Sequence, residues 1–398
     1  MNGKNDFLID WSGRSFDYSE EDINSIVNAM KHADPLTQGK YLNQFQTDFG
    51  KYNKTPNSFA MANCTNALDI AAILTGLKKN DEVIIPAHTF CASAIPFGRT
   101  GAKIVWADID PDTRVISADS IEDNITPRTK VIVIVHLYGL MADMNPIMDI
   151  ASERNCLVVE DCAQVIGAEY NGEKSGSIGD FGAFSFHGQK NLTTLGEGGM
   201  LTVKSDEHAK LVPGLRHNGA RPYEYEREHY WIPAMSNVDL DIEGVWPYNF
   251  SLGEPQCALG SSILNRIDQM NELRIKRARK FMNAVADFPE LSFQKVPKNQ
   301  KHVYHLLSAK YNGTKFGKTN HDFIKLMVYK YKIKCIVQYY PLYRYPLFIK
   351  MGFGQHNCPN TDDFYDNMIS FPFHLWMSEQ QFDYMIDSTI KSLKELRK

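Results

Sequence analysis

Two residues of this sequence have types and settings suited to covalent chemistry, a lysine on a glycine-rich turn and an aspartate ending an apolar run. Gly182-Ala-Phe-Ser-Phe186 reads as a strand and leads into a polar turn that holds one lysine, Lys190. Gly196-Glu-Gly-Gly199 then permits a tight backbone path into a second strand, Met200 to Val203. A lysine fixed between two buried strands can form a Schiff base with a carbonyl compound. Taken alone, a turn lysine is more commonly a solvated surface charge. Asp161 closes Val158-Val-Glu-Asp161. A carboxylate at a strand end can hold a pyridinium nitrogen protonated, the condition that makes pyridoxal phosphate an electron sink. Alone, it also reads as the N-cap of a following helix, or as a metal ligand with no histidine or second aspartate close to it in sequence.

A third element is Asn63-Cys-Thr65-Asn66-Ala-Leu, at the start of a predicted helix. Backbone N–H groups and the helix dipole there suit a phosphate, and plain N-capping explains the same residues. Ser185 can add a hydroxyl.

These residues need a frame, and the apolar pattern supplies one. Residues 19–33 carry a Ser-x-x-Asp start with Ile23, Ile26, Val27 and Met30 at helical spacing, and a second helix runs from near Thr65 through Leu74. Short apolar runs follow at Val83 to Ile85, Ile104 to Trp106, Val131 to Val135 and Leu157 to Val159, separated by turns and by a helix over Met144 to Arg154. Strands alternating with helices predict an α/β fold with a mostly parallel sheet. In such sheets ligands bind beyond the carboxyl ends of the strands, here Pro86-Ala-His-Thr-Phe90, His136-Leu-Tyr-Gly139 and Glu160-Asp-Cys162. A charged helix over Asn265 to Ala286 links this part to a smaller α/β part. That part has strand-like pieces at Val303 to Ala309 and Lys334 to Tyr340, and helices at Asp322 to Lys330 and Ser378 to Leu396. The expected division is a large domain over 1–264, including the N-terminal helical segment, and a small C-terminal domain over 265–398.

The chain has 398 residues, enough for a large domain with a smaller partner. A net charge of −4 gives no electrostatic reason to expect nucleic acid or an anionic membrane. The seven cysteines are scattered without CxxC spacing, which argues against a disulfide framework or structural zinc. The N-terminal stretch is polar and acidic rather than signal-like, and no apolar run is long enough to span a bilayer. The expectation is a reduced, cytoplasmic protein with no metal.

Together these elements resemble the DegT/DnrJ/EryC1/StrS family of sugar aminotransferases, within the type I fold of pyridoxal-phosphate enzymes. The resemblance covers nearly the whole chain and is strongest over Glu160 to Gln164 and Gly179 to Gly199. It implies that Lys190 is the Schiff-base lysine and Asp161 the partner of the pyridine nitrogen. Gln164 matches the residue bonded to the cofactor's phenolic oxygen, and Phe90 the ring stacked on the pyridine face. Thr65, Asn66 and Ser185 match phosphate ligands. Asn249 matches an asparagine reaching the phosphate from a neighbouring subunit, so the resemblance implies a homodimer with shared active sites.

The sequence departs from the family at several of these places. Cys64 and Asn66 replace the usual glycine and alanine, Ser251 stands where arginine is common, Arg216-His-Asn-Gly219 inverts an Asn-His-Gly order, and Tyr343 replaces a frequent histidine. His187, Arg216, His217 and Tyr343 are candidate contacts to the acceptor. The aromatic cluster from Tyr339 to Tyr345 reads as small-domain packing, with a sugar platform as the alternative.

The reaction implied is transfer of an amino group from L-glutamate to a keto sugar, nucleotide-linked in most relatives, with ping-pong kinetics. Lys190 moves the proton as base and acid. A small phosphorylated ketone or a keto cyclitol is an alternative acceptor. Family dehydratases carry histidine where Lys190 stands. A pyridoxal-phosphate-binding regulatory protein without turnover is the alternative from another class. A nucleotide-binding dehydrogenase is set aside, because no G-x-G-x-x-G follows the early strands.

Overall fold

The computed structural model describes residues 7–220 and 236–398, so the polar N-terminal stretch read above lies partly outside the described residues. The strands among them are β1 (Ser58–Met61), β2 (Glu82–Pro86), β3 (Lys103–Ala107), β4 (Thr129–Val135), β5 (Leu157–Asp161), β6 (Glu169–Tyr170), β7 (Glu173–Lys174), β8 (Phe181–Ser185), β9 (Gly199–Val203), β10 (Leu291–Phe293), β11 (Gln300–Lys301), β12 (Leu307–Tyr311) and β13 (Met368–Phe371).

The central sheet has seven strands in the order β1-β9-β8-β5-β4-β2-β3. Contacts from β3 through β8 are parallel, and β9 runs antiparallel to both β8 and β1. Val131 to Ile134 of β4 are fully buried, as expected of a strand covered on both faces. Register decides where chemistry can occur: Val135 pairs with Asp161, and Asp161 with Ala183. The carboxyl ends of β4, β5 and β8 therefore lie side by side, the predicted location for a ligand site.

A second core gathers Ile9, Ala278, Phe281, Phe323, Phe371, Phe382 and Leu393 among others. It packs the antiparallel sheet β10-β12-β13 against the helices Ile267–Ala284 and Glu379–Leu396.

Several expected elements differ in detail. The helix over Asn265 to Ala286 begins at Ile267, because Asn265 and Arg266 close a preceding helix, Glu254–Leu264. That helix is buried along most of its length and so lacks an amphipathic period. Its Glu254 carboxylate accepts from Gly39 N–H at 2.9 Å and Tyr41 N–H at 2.8 Å, capping another unpredicted helix, Lys40–Asn53. Of Val303 to Ala309 only the end joins β12; Val303 N–H and Leu306 N–H bond instead to the carbonyls of Gly139 and Tyr138. Lys334 to Tyr340 is an extended loop rather than a strand, with an isolated bridge from Ile336 to Ser370 and a bond from the Tyr138 hydroxyl to Gln338 O at 2.7 Å. The helix expected over Asp322 to Lys330 is α-helical over Asn320–Lys325 and widens to a π-turn over Leu326–Lys330.

Candidate active site

The aligned strand ends open into a cavity of about 460 Å³, and Lys190 and Asp161 both face it. Lys190 sits on a turn closed by its own N–H bonding to His187 O at 2.9 Å and by Gly188 N–H to Gly196 O at 3.0 Å. The next residue, Asn191, is buried and donates to Asn271 Oδ1 at 2.9 Å, which ties the turn to the long helix Ile267–Ala284. Burial lowers the Lys190 pKa from its ordinary value, while the Asp161 charge and Cys64 pull it back up. The net shift is downward, towards the neutral amine that attacks carbonyls and accepts protons.

Asp161 is buried. Ser93 Oγ donates to its Oδ2 at 2.6 Å, and Ala163 N–H to its Oδ1 at 3.0 Å. Burial raises its pKa, and the Ser93 and Ala163 bonds, Lys190 and His136 oppose that rise. The carboxylate is thus held at a fixed angle in a poorly solvated wall, where a bound cation would strongly favour its charged form.

The helix Cys64–Leu74 points its N-terminus at the cavity, and Asn63 caps it by accepting from Asn66 N–H at 2.9 Å. Gly199, at the start of β9, makes this placement possible. A Cβ there would lie 2.6 Å from the Asn63 carbonyl carbon and 2.8 Å from Cys64 N. Thr65 and Ser185 line the cavity beside this N-terminus.

Phe90 also lines the cavity and is 53% exposed, an unusual setting for a phenyl ring unless something covers it. Gln164 accepts from Tyr138 N–H at 2.8 Å and donates to the Tyr339 hydroxyl at 3.3 Å, which fixes its amide in the wall. His187 is the one acceptor candidate in the cavity lining; its Nδ1 accepts from Gln189 N–H at 3.3 Å.

The other candidates lie elsewhere in this chain. Asn66 stands one residue beyond the cavity lining. Arg216 is buried and bonds to Gln46 Oε1 at 2.6 Å and Ala60 O at 2.9 Å, which makes it a clamp within the large core. His217 bonds through Nδ1 to Ser251 Oγ at 3.1 Å, and Asn249 pairs with His217 across an isolated bridge. Tyr343 is buried, donates to Asp362 at 2.7 Å and stacks on His356 with ring centroids 3.5 Å apart, as packing.

Tyr339, by contrast, leaves the aromatic cluster and enters the cavity wall, edge-on to Phe90 at 6.0 Å. Sequence reasoning missed its role, along with Ser93, His305, His374 and the segment Trp11 to Ser15, all of which face the cavity. Each is distant in sequence from Lys190, and apart from Ser93, which follows the marked strand end at Phe90 in a short helical turn, each comes from a loop that no local motif marked.

A buried trio, His136, Glu160 and Cys162, lies next to the site with metal-ligand spacing. Its polar groups are already engaged. Glu160 accepts from His136 Nε2 at 2.9 Å and from the N–H groups of Gly176, Ile178 and Gly179, and His136 Nδ1 accepts from Ala142 N–H. The trio serves as an internal brace.

The donor set fits pyridoxal phosphate. It combines a lysine of lowered basicity, a fixed buried carboxylate, an exposed phenyl ring, and two hydroxyls at a helix N-terminus suited to a dianion.

Comparison with known proteins agrees. A model of the DegT/DnrJ/EryC1/StrS aminotransferase family matches residues 17–389. The chain is 31% identical to the spore coat polysaccharide biosynthesis protein SpsC of Bacillus subtilis, covering 93% of both chains. It is 39% identical to the GDP-perosamine synthase of Caulobacter vibrioides over 58% of each. Its fold matches the aminotransferase Spr1654 of Streptococcus pneumoniae, solved in PMP and PLP forms. The PMP form gives a TM-score of 0.87 at 25% identity and covers 97% of this chain and 100% of that one.

Proposed function

The chain belongs to the DegT/DnrJ/EryC1/StrS aminotransferase family, and from that premise we propose that it moves an amino group from L-glutamate to a nucleotide-linked keto sugar, with Lys190 as its central residue. It is a pyridoxal-phosphate-dependent aminotransferase of amino-sugar biosynthesis. The observation that carries the site assignment is that Lys190 and Asp161 face one cavity beside the N-terminus of the helix Cys64–Leu74.

In this reading Lys190 holds the cofactor through its amine and Asp161 holds the ring nitrogen. Gln164 faces the phenolic oxygen, Phe90 covers the ring, and Thr65, Asn66 and Ser185 receive the phosphate. Bound there, pyridoxal phosphate supplies an electron sink that acidifies the C–H bond next to a substrate nitrogen. Lys190 takes that proton from the donor's α-carbon and returns one to the acceptor's carbon in the second half of the cycle. Its lowered pKa suits both tasks, because it moves the amine towards the neutral form that a base requires. With the cofactor bound, Asp161 would set its carboxylate against the ring's N–H, and Ser93 and Ala163 hold that carboxylate in place.

Asn249 lies outside this chain's own cavity, which supports its reading as a contribution to a partner's site in a homodimer. The seven cysteines are all unpaired, which supports a reducing cytoplasm. No helix among the described residues is long and apolar enough to cross a membrane. We place the division between the large and small parts at 264/265; apart from Ile9, the second core draws its members from Ala278 onward. The name of the relative GDP-perosamine synthase supports a nucleotide-linked acceptor.

The test is to load the purified protein with the cofactor, convert it with glutamate, and titrate that form with nucleotide-linked 3-keto and 4-keto hexoses. The expected product has gained an amine. No conversion by glutamate, or loss of a hydroxyl without gain of nitrogen, contradicts the reading.

A further inference from the structure

The segment Trp11 to Ser15 forms part of the cavity wall although it lies far from Lys190 in sequence. It is pinned from two sides. On the side of the Lys190 turn, Ser15 N–H bonds to Gly188 O at 3.2 Å, and Gln189 Nε2 donates to Ser12 O at 2.9 Å. On the other side, Leu375 N–H bonds to Ser15 O at 2.7 Å, and the Trp376 indole N–H reaches Ser12 Oγ at 3.1 Å and Arg14 O at 3.2 Å. The guanidinium of Arg14 lies over the Trp376 ring, 5.7 Å from its centroid. An arginine carried on a backbone anchored at both flanks presents its fork from a defined place.

Among the described residues, four charged side chains of ordinary acids and bases line the cavity: Lys190, Asp161, Glu197 and Arg14. The first two serve the cofactor, and Glu197 repels anions. Three histidines share the wall; His187 is already an acceptor candidate, and the other two, His305 and His374, supply little positive charge. Burial, with help from Lys190, Arg274 and His187, drives the His305 pKa well below the usual range, and burial brings that of His374 to about 4. Among the described residues Arg14 therefore remains the charged arginine of the wall that no other role occupies. Its present partner is Asp17, and both side chains are well exposed, at 50% and 64%. An exposed, solvent-screened pair of this kind is weak, so an incoming anion with bidentate geometry can displace Asp17.

We propose that Arg14 is the residue that takes the oxyanion of a substrate, releasing Asp17 as it does so. The proposal rests on the aminotransferase reading of this same site. The oxyanion has two sources, the carboxylate of the amino donor or the phosphates of a nucleotide-linked acceptor. Ping-pong turnover presents both to the same cavity in succession.

The test measures the two half-reactions separately in Arg14→Gln, Arg14→Lys and Asp17→Asn holoenzymes, with calorimetric titration by glutarate and by a nucleoside diphosphate as unreactive probes. Arg14→Gln is expected to raise KM for one or both substrates tenfold or more with a much smaller change in kcat. Arg14→Lys should recover part of the loss. Asp17→Asn should move the other way, tightening binding severalfold, because it removes the competing carboxylate. A rise confined to glutamate and glutarate assigns the donor carboxylate. A rise confined to the acceptor and the nucleotide assigns its phosphates, and a rise in both assigns each in turn. Unchanged KM values in Arg14→Gln, or equal weakening by Arg14→Gln and Asp17→Asn, overturn the proposal while leaving wild-type amination intact. If the wild type does not aminate at all, it is the aminotransferase reading that fails.

Discussion

Ser93 donates its hydroxyl to Asp161 Oδ2 at 2.6 Å, and this bond fixes the carboxylate that faces Lys190 across the cavity. The bond favours the charged form of a group that burial pushes towards neutrality. Ser93→Ala should raise the Asp161 pKa further and weaken cofactor retention. Loss of a buried hydrogen bond to a charged group costs about 1.5–3 kcal/mol, or roughly ten- to a hundredfold in affinity. Equilibrium titration of the apoprotein with pyridoxal phosphate measures it, and an unchanged affinity would show that Asp161 is held by other means.

The pH dependence of cofactor capture follows from Lys190. Only the neutral amine adds to an aldehyde, and burial lowers the Lys190 pKa below its ordinary value. The capture rate of the apoprotein should therefore rise with pH and level off below the range of an exposed lysine. The Asp161 charge raises the Lys190 pKa, so Asp161→Asn should move the midpoint to lower pH. Stopped-flow absorbance across a pH series tests the sign, and a midpoint moving upward contradicts it.

The brace beside the site predicts a stability effect without a metal effect. Burial raises the Glu160 pKa, but bonds from His136 and from the N–H groups of Gly179 and Gly176 outweigh it, and the net shift is downward. The stability Glu160 contributes is therefore present above the ordinary carboxylate pKa and is lost as pH falls through its depressed folded value. Glu160→Ala leaves several buried donors unmatched and should cost about 3–5 kcal/mol in denaturant unfolding. A chelator should change neither stability nor amination, because both imidazole nitrogens of His136 are already engaged.

The parallel sheet and its ligand end were legible because Val131 to Val135 and Leu157 to Val159 are unbroken apolar runs, as a strand buried on both faces requires. Lys190, Asp161, Gln164, Thr65 and Ser185 were legible for a related reason: each lies on, or within a few residues of, a strand end or helix start that the pattern marks. Tyr339 and Arg14 were not, because long-range backbone bonds bring their loops to the cavity and leave no local period; Ser93 lies in a short helical turn three residues past Phe90, where its residue type alone gave no signal. Arg216 and Tyr343 were read as acceptor contacts, yet one is bound to Gln46 and Ala60 and the other is stacked on His356. Residue type alone does not separate a polar clamp from a ligand contact.

The proposal that Asn249 enters a partner's site predicts complementation between two inactive variants. Mixed dimers of Lys190→Ala and Asn249→Ala chains contain one site with both residues intact. Random exchange of equal amounts should restore roughly a quarter of wild-type activity. Activity no higher than the sum of the two separate variants would place Asn249 outside the partner's site.

The most direct test of the account is to treat the cofactor-loaded protein with borohydride, digest it, and locate the reduced cofactor by mass spectrometry. The added mass is expected on the peptide containing Lys190, and none in Lys190→Ala, which should also fail to aminate. The cofactor found on any other lysine, or turnover surviving in Lys190→Ala, would contradict it.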